Sequence, residues 1–242
     1  MDLVVVFLEK KLITKLMKVK SIILILCNLI IIGISLKAQE KNDNEIDTNK
    51  LFFPNMYFID TINAESDGTI SGKKFIDRRM RTATILNSWY SEQLLSLKEP
   101  KLYQEYPHEV YRFTWFGYLG QKHNPISLRL ECFNDTVFLF VKYINSKNKE
   151  HQKELKTDTI ILNKKDWDIF KNNADSINFW SISPIEKTET VIMDGSVWIL
   201  EGKNNKSYHM VHRNCGKHKE IGELCLFLLE KSRIKVKKKN LY

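Results

Sequence analysis

Apolar residues recur at three- and four-residue intervals along three stretches of the chain, a spacing that places them on one face of an α-helix. These stretches predict helices over Arg78–Lys98, Lys164 to about Asn173 and Lys217 to about Lys231. The first should end at Glu99-Pro100, because proline stops a helix. The second begins with a capping box, in which Asn163 and Asp166 satisfy free backbone N–H groups.

Other stretches alternate apolar and polar residues at a period of two, which is typical of β-strands. They predict strands over Glu109–Leu119, Ile126–Phe133, Thr136–Tyr143, Glu154–Leu162, Ser196–Glu201 and Ser207–Arg213. Successive hairpins without a helix between them argue for antiparallel pairing. We therefore expect a single α+β domain, with a mostly antiparallel sheet of about six strands and helices packed on one face.

The first predicted hairpin has a well-defined register. Asn134-Asp135 forms a two-residue turn, so Phe133 should lie opposite Thr136. In that register the aliphatic residues of both strands share one face, and Arg129 and Glu131 lie on the other.

The second predicted hairpin turns around Gly202–Lys206. With Gly202 opposite Ser207, Glu201 would lie across from Tyr208. Because side chains alternate along a strand, the two faces of this hairpin carry different residues. Several of these residues are polar, which is unusual in a strand pair that otherwise has the apolar character of a core.

Five residues of the sheet form the predicted binding site. Trp198, His209 and Arg213 share one face of the second hairpin, while Arg129 and Glu201 are further polar candidates. On a functional interpretation, His209 and Arg213 form a small polar site beside Trp198. The structural alternative is a hydrogen-bonded histidine and an arginine stacked on Trp198 as a cation–π pair.

Sequence motifs for catalysis are absent: the chain has no G-x-S-x-G, no H-E-x-x-H and no phosphate loop. The competing class is a hydrolase that uses His209, or Cys215 with His218. His212, Cys215 and His218 could also converge on a zinc ion, but their spacing matches no compact zinc signature. We expect no catalytic residue, no metal and no cofactor.

The second hairpin also carries a longer pattern. It runs Asp194-Gly195-x-x-Trp198-x-x-Glu201-Gly202, followed by Tyr208-His209-x-Val211-x-Arg213. This pattern resembles a bacterial family of exported proteins with no assigned activity. Further matching segments are Tyr111-Arg112-Phe113, Asn124-Pro125-Ile126, Arg129-Leu130-Glu131 and Phe179-Trp180. The chain departs from the family at Asn214-Cys215, where the family has Ser-Pro.

An N-terminal apolar run predicts export. From Met17 to Gln39, two lysines precede a nearly all-aliphatic segment and a small residue, Ala38, as in a secretory signal peptide. Translation is expected to start at Met17, and an uncleaved membrane anchor is the alternative. The predicted divisions are 1–38 (extension and signal), 39–77 (polar linker and lead-in), 78–232 (α+β domain) and 233–242 (basic tail).

Positive charge lies mainly at the two ends of the chain. The first 38 residues contain six lysines and two acidic residues, which leaves a net charge of +5 for the rest. The last twelve contain six basic residues and no acid, so the body between is nearly neutral. This distribution argues against nucleic-acid binding, which needs basic residues spread over one face. The tail itself could make weak contact with an anionic membrane.

Three cysteines follow the predicted signal: Cys132, Cys215 and Cys225. In an oxidising compartment they allow at most one disulfide, and buried free thiols are the default for Cys132 and Cys225. Taken together, the sequence predicts a periplasmic or secreted, non-catalytic binding domain. Its partner would be an envelope protein or a small ligand.

Overall fold

One antiparallel sheet organises the computed structural model, which describes residues 47–58, 70–104, 106–117, 124–146, 153–186 and 196–236. Its strands are β1 (Val110–Phe116), β2 (Ile126–Phe133), β3 (Thr136–Ser146), β4 (Lys153–Leu162), β5 (Val197–Lys203) and β6 (Tyr208–Asn214). Their spatial order is β4-β3-β2-β1-β5-β6. The α-helices in these ranges are α1 (Ile70–Ser96), α2 (Lys164–Ser176) and α3 (Gly222–Lys231). The predicted α+β class and its antiparallel six-stranded sheet are confirmed.

These elements belong to one compact unit, Thr48–Tyr242. The predicted signal segment and the residues before it lie outside the described ranges. In the described part of the chain, none of the helices has the length and apolar character that a membrane crossing needs.

The first hairpin has the predicted register. Phe133 pairs with Thr136, and Leu130 pairs with Leu139 further along the ladder. Asn134 and Asp135 have φ values of 47° and 60°, the left-handed values of a two-residue hairpin turn. Because this turn fixes the register, Arg129 lies on the face opposite the aliphatic residues.

The predicted register of the second hairpin is wrong by two residues, because Gly202 pairs with His209 and not with Ser207. The pair that closes the loop is Lys203 with Tyr208, each one residue further along the chain than the expected pair. Asn204 Oδ1 accepts hydrogen bonds from the N–H groups of Lys206 and Ser207, both at 2.8 Å, and fixes the loop there. A shift of two residues keeps every side chain on its predicted face.

One face of the sheet packs against α2 and α3. The aliphatic and aromatic side chains of this face, including Phe113, Leu128 and Leu139, contact Phe170 of α2 and Leu228 of α3 in a single buried core. The predicted capping box starts α2: the Asp166 N–H donates to Asn163 Oδ1 at 2.8 Å. We call this the α2–α3 face.

The opposite face packs against α1 and the lead-in segment 51–58, so the expectation of helices on only one face is wrong for α1. Here Phe116, Ile199 and Met210 of the sheet form a second buried core. Tyr90 and Leu94 of α1 pack over these residues, next to Phe52 and Phe53 of the lead-in segment. The reason lies in β1, all of whose residues are buried, so both of its faces need a cover. We call this the α1 face.

Helix boundaries differ from the prediction in two places. α1 begins at Ile70 and not at Arg78, and it ends at Ser96, shortly before Lys98 adopts a left-handed φ of 52°. α3 begins at Gly222 because a 3-10 turn, Gly216–His218, precedes it. Gly216 lies so close to Trp198 that a Cβ there would be 2.6 Å from the Cβ of the tryptophan.

The chain after α3 is docked on the core. α3 ends at Lys231, as predicted, and the next residues have no regular structure. Ile234 and Val236 are half-buried against the α2–α3 core, so the predicted basic tail is packed on the domain as far as Val236. Residues 237–242 lie outside the described ranges.

We predict that Ile234→Ala with Val236→Ala lowers the free energy of unfolding by about 1–2 kcal/mol, since two half-buried aliphatic side chains lose part of their contact area. Urea unfolding followed by tryptophan fluorescence measures the change. Lys235→Ala is the matched control, because its side chain is exposed. Equal stability of the two variants would contradict docking of the tail.

Candidate functional site

The structure brings Trp198, His209 and Arg213 together on the α2–α3 face, but all three are buried. His209 Nε2 donates to the carbonyl of Ile182 at 3.0 Å, which fixes its tautomer. Trp198 Nε1 donates to Ser196 Oγ at 3.1 Å. Burial lowers the pKa of His209, so the ring is neutral at neutral pH. These three residues therefore do not line an open site.

Arg213 binds a carboxylate and backbone carbonyls. Its guanidinium donates to Glu220 Oε2 at 2.9 Å and to the Ser183 carbonyl at 3.0 Å. The hydrogen bond from Arg213 lowers the pKa of the Glu220 carboxyl group. In addition, the His212 N–H donates to the Pro184 carbonyl at 2.7 Å. Residues 182–184 thus lie along the outer edge of β6 and bond one of its backbone N–H groups, that of His212.

His212 points to the opposite face from His209. Its Nε2 lies 2.9 Å from the Tyr90 hydroxyl of α1. Within the described residues, no group of three or more His, Cys, Asp or Glu side chains is placed to hold a metal ion. Cys132, Cys215 and Cys225 are free, and burial raises the pKa of the Cys225 thiol.

The remaining predicted residues, Arg129 and Glu201, lie on the α1 face in a buried network of ion pairs. Arg112 of β1 lies between them in the sheet, paired in register with both. Its Nε donates to Glu201 Oε2 at 2.6 Å. Arg129 forms a close ion pair with Glu131 of the same strand.

Glu99 bridges two arginines that would otherwise face each other. Arg112 and Arg129 are direct cross-strand partners. Glu99 Oε2 lies 3.0 Å from Arg129 Nε and 3.5 Å from Arg112 Nη1. Lys142 of β3 approaches the other oxygen at 3.1 Å. Glu99 reaches this position because it lies three residues after the end of α1, where its N–H donates to the Leu94 carbonyl.

The network balances its charges: three carboxylates, Glu99, Glu131 and Glu201, face three cations, Arg112, Arg129 and Lys142. Burial raises the pKa of Glu201, although Arg112 opposes this effect. Burial disfavours the charged form of Arg112, but the two nearest carboxylates outweigh it and raise its pKa. Tyr208 donates to Glu201 Oε1 at 2.9 Å and completes the carboxylate's hydrogen bonding.

Sequence reasoning missed Arg112 and Glu99. The available signal was Arg112 itself, the one charged residue in a strand whose other residues, apart from Thr114, are apolar or aromatic. Glu99 carried no signal beyond its place at the end of a helix.

Residues 106–109 extend the network to the protein surface. The Tyr106 hydroxyl donates to Glu131 Oε1 at 2.6 Å and accepts from Arg129 Nη1 at 2.5 Å. His108 Nε2 donates to Glu131 Oε2 at 2.6 Å. Burial and the positive charge of Arg129 lower the pKa of His108, so the ring is a neutral donor here. Glu131 therefore fixes both side chains of this segment.

An open groove lies between this segment and the β5–β6 loop. Its larger part, about 630 Å³, is lined by Tyr106, Pro107, Lys203, Asn204 and Asn205. An adjoining part of about 470 Å³ is lined by Pro107, His108, Glu109, Asn204, Asn205 and Lys206. We call the two parts together the 106/203 groove. Both of its walls are held by hydrogen bonds, one through Glu131 and the other through Asn204 Oδ1.

Comparison with known proteins gives no family. The chain matches no model of a known protein family, and a search of curated proteins finds no significant relative. The resemblance to an exported bacterial family, based on the Asp194–Arg213 pattern, therefore stays a prediction.

We predict that Glu99→Gln lowers the free energy of unfolding by about 3–5 kcal/mol, because it leaves two buried arginines facing each other without a bridging charge. Chemical unfolding at neutral pH measures the loss. Glu154→Gln removes a carboxylate from an exposed ion pair with Lys156 and should change stability by no more than about 0.5 kcal/mol. A small effect of Glu99→Gln would show that the network is not integral to the fold.

We predict that stability falls as the pH drops from 7 to 4.5, partly through His212. Burial lowers its folded pKa to about 4, with Arg213 adding to the effect. The unfolded chain binds the proton first, so this contribution is complete above about pH 6.5 and is lost as the pH falls toward 4. It amounts to about 3 kcal/mol at most.

Urea unfolding at both pH values tests this. His212→Gln can keep a hydrogen bond to Tyr90 and should reduce the pH dependence, whereas His218→Gln, at an exposed position, should leave it unchanged. An identical reduction in both variants would contradict the role of His212.

Proposed function

We propose that the protein is an exported, non-catalytic binding domain of the cell envelope, and that the 106/203 groove is its recognition site. The observation that carries the proposal is the groove's rigid construction. Tyr106 and His108 are held by Glu131 in the buried ion network, and the opposite wall is held by Asn204. A site with walls fixed in advance loses little entropy when a ligand binds.

The lining favours an acidic, polar ligand. Lys203 and Lys206 contribute positive charge, and Asn205 contributes an exposed amide. The one carboxylate in the lining, Glu109, is already paired with Lys171 Nζ at 2.5 Å. The groove therefore presents uncompensated positive charge beside an aromatic and a proline ring, which suits a carboxylate-bearing glycan or peptide fragment.

The alternative of a hydrolase has less support than the binding domain, because of the contacts that His209 and Arg213 make. The general base in that alternative would be His209, but its Nε2 hydrogen is donated to the Ile182 carbonyl, and its side chain is buried. Arg213 is likewise bound by Glu220 and by carbonyl groups. Both side chains act here by holding residues 182–184 against β6.

We predict that the protein binds acidic oligosaccharides or short glutamate-containing peptides in the groove, and that Lys203→Ala with Lys206→Ala weakens binding about tenfold or more, as expected for the loss of two contacting charges. Isothermal titration calorimetry with a glucuronate oligosaccharide and a triglutamate peptide measures the affinity. Lys164→Ala with Lys235→Ala removes the same charge elsewhere and is the matched control.

Equal weakening in both double variants would show a general charge effect and contradict the groove. The same titrations, followed by mass spectrometry of the probe, test for turnover. A cleaved probe whose cleavage is abolished by His209→Ala in a folded variant would favour the hydrolase.

A further inference from the structure

The two edges of the sheet differ in the described part of the chain. At β6, residues 182–184 contribute carbonyl groups that accept from His212 N and from Arg213. At the other edge, β4 pairs with β3 alone among the described strands. Its ten residues pair without interruption from Lys153 to Leu162, so no bulge breaks this edge. Ile161 is 70% exposed there. A long, regular edge of this kind is a template for another strand.

One hydrogen bond shows which residues of β4 point their backbone groups outward. The Thr159 N–H donates to the side chain of its own neighbour, Asp158, at 2.8 Å, and so it does not face β3. In an antiparallel strand, the N–H and C=O of one residue point to the same side and successive residues alternate. The odd-numbered residues of β4 therefore present their backbone groups to the open edge.

We infer that β4 pairs with β4 of a second copy of this chain, antiparallel and about a two-fold axis at Thr157. This register places Thr157 opposite itself and joins outward-facing backbone groups along the strand. The Thr159 N–H would exchange its bond to Asp158 for one to the Leu155 carbonyl of the second copy. The register also places Lys156 opposite Asp158 of the second copy, twice by symmetry, so that Lys156 would bind this aspartate in addition to Glu154 of its own chain. Opposite charges in directly facing positions stabilise a strand pair.

The charges on β4 select this register over its neighbours. A two-fold axis at Lys156 or at Asp158 would place like charges directly opposite each other, which is destabilising. An axis at Thr159 would place Asp158 opposite Ile160, without a charge partner. An axis at Leu155 would pair Lys156 with Glu154, but it would use only the first half of β4.

The inferred contact uses only the β4 edge. At the other edge of the sheet, the Pro184 carbonyl already accepts from the outward N–H of His212. The lateral contact is separate from the 106/203 groove, so the inference does not depend on the proposed function.

Cysteine crosslinking in cells that produce the full chain tests the register. In an antiparallel pair, directly opposed Cα atoms lie about 5.5 Å apart, within the range of a disulfide. Thr157→Cys should give a crosslinked dimer under mild oxidation, about fivefold more than Thr159→Cys, which would face Leu155 of the second copy. The unsubstituted chain controls for its own cysteines, and both threonines are exposed.

Charge reversal then tests the pairing itself. In the Thr157→Cys background, Lys156→Asp should abolish the dimer, and adding Asp158→Lys should restore it, because the facing charges are again opposite. Equal crosslinking at Thr157 and Thr159, crosslinking centred on Leu155→Cys, failure of the charge swap to rescue, or crosslinks of Thr157→Cys only to other proteins would each overturn the inference. Thermal unfolding confirms that the variants compared are folded.

Discussion

The structure depends on one carboxylate, Glu99, which lies between two arginines that the sheet forces to face each other. Arg112 and Arg129 are cross-strand partners in the middle of the sheet, buried under α1 and the lead-in segment. Two buried cations in that position repel each other and lose their hydration. Only a buried anion between them makes the β1–β2 pairing compatible with a covered α1 face. The end of α1 is therefore fixed to the sheet by charge as well as by apolar contact.

This constraint connects parts of the molecule that share no apolar core. From Glu99 the ion pairs extend through Arg129 to Glu131, and from there to Tyr106 and His108 at the surface. The rigidity of one wall of the 106/203 groove thus originates inside the protein. A substitution at a buried residue of the network would therefore alter the groove wall at the surface, although Arg112 and Arg129 are themselves buried.

Much of the fold followed from sequence pattern, and the exceptions have identifiable physical causes. Burial on one face and an Asn134-Asp135 turn together left β2 and β3 only one register. The β5–β6 hairpin had a polar loop rich in Asn and Lys, so the closing pair depended on a local bond from Asn204 that pattern alone does not reveal. The position of α1 was missed because it depends on β1 being buried on both faces, including the face that carries Arg112 and Thr114.

For the site, sequence identified residue types but not their surroundings. Arg129 and Glu201 were singled out as polar candidates, yet their partner Arg112 is 89 residues from Glu201, and no local pattern joins the two. His209 and Arg213 looked reactive because histidine and arginine in a strand are rare. The chain segment that binds them, residues 182–184, precedes their hairpin and could not be placed without the tertiary structure.

The central position of β1 has a consequence for how the chain folds. β2, β3 and β4 can pair as local hairpins, but β1 must also pair with β5, which follows it only after all of those strands and α2. Long-range pairing of this kind slows folding, since a large loop must close before the contacts form. Until β5 arrives, Arg112 lacks Glu201 and the sheet carries an excess buried cation. The folding barrier should therefore lie at the closure of β1 on β5, and we expect the last native contact to be an electrostatic one.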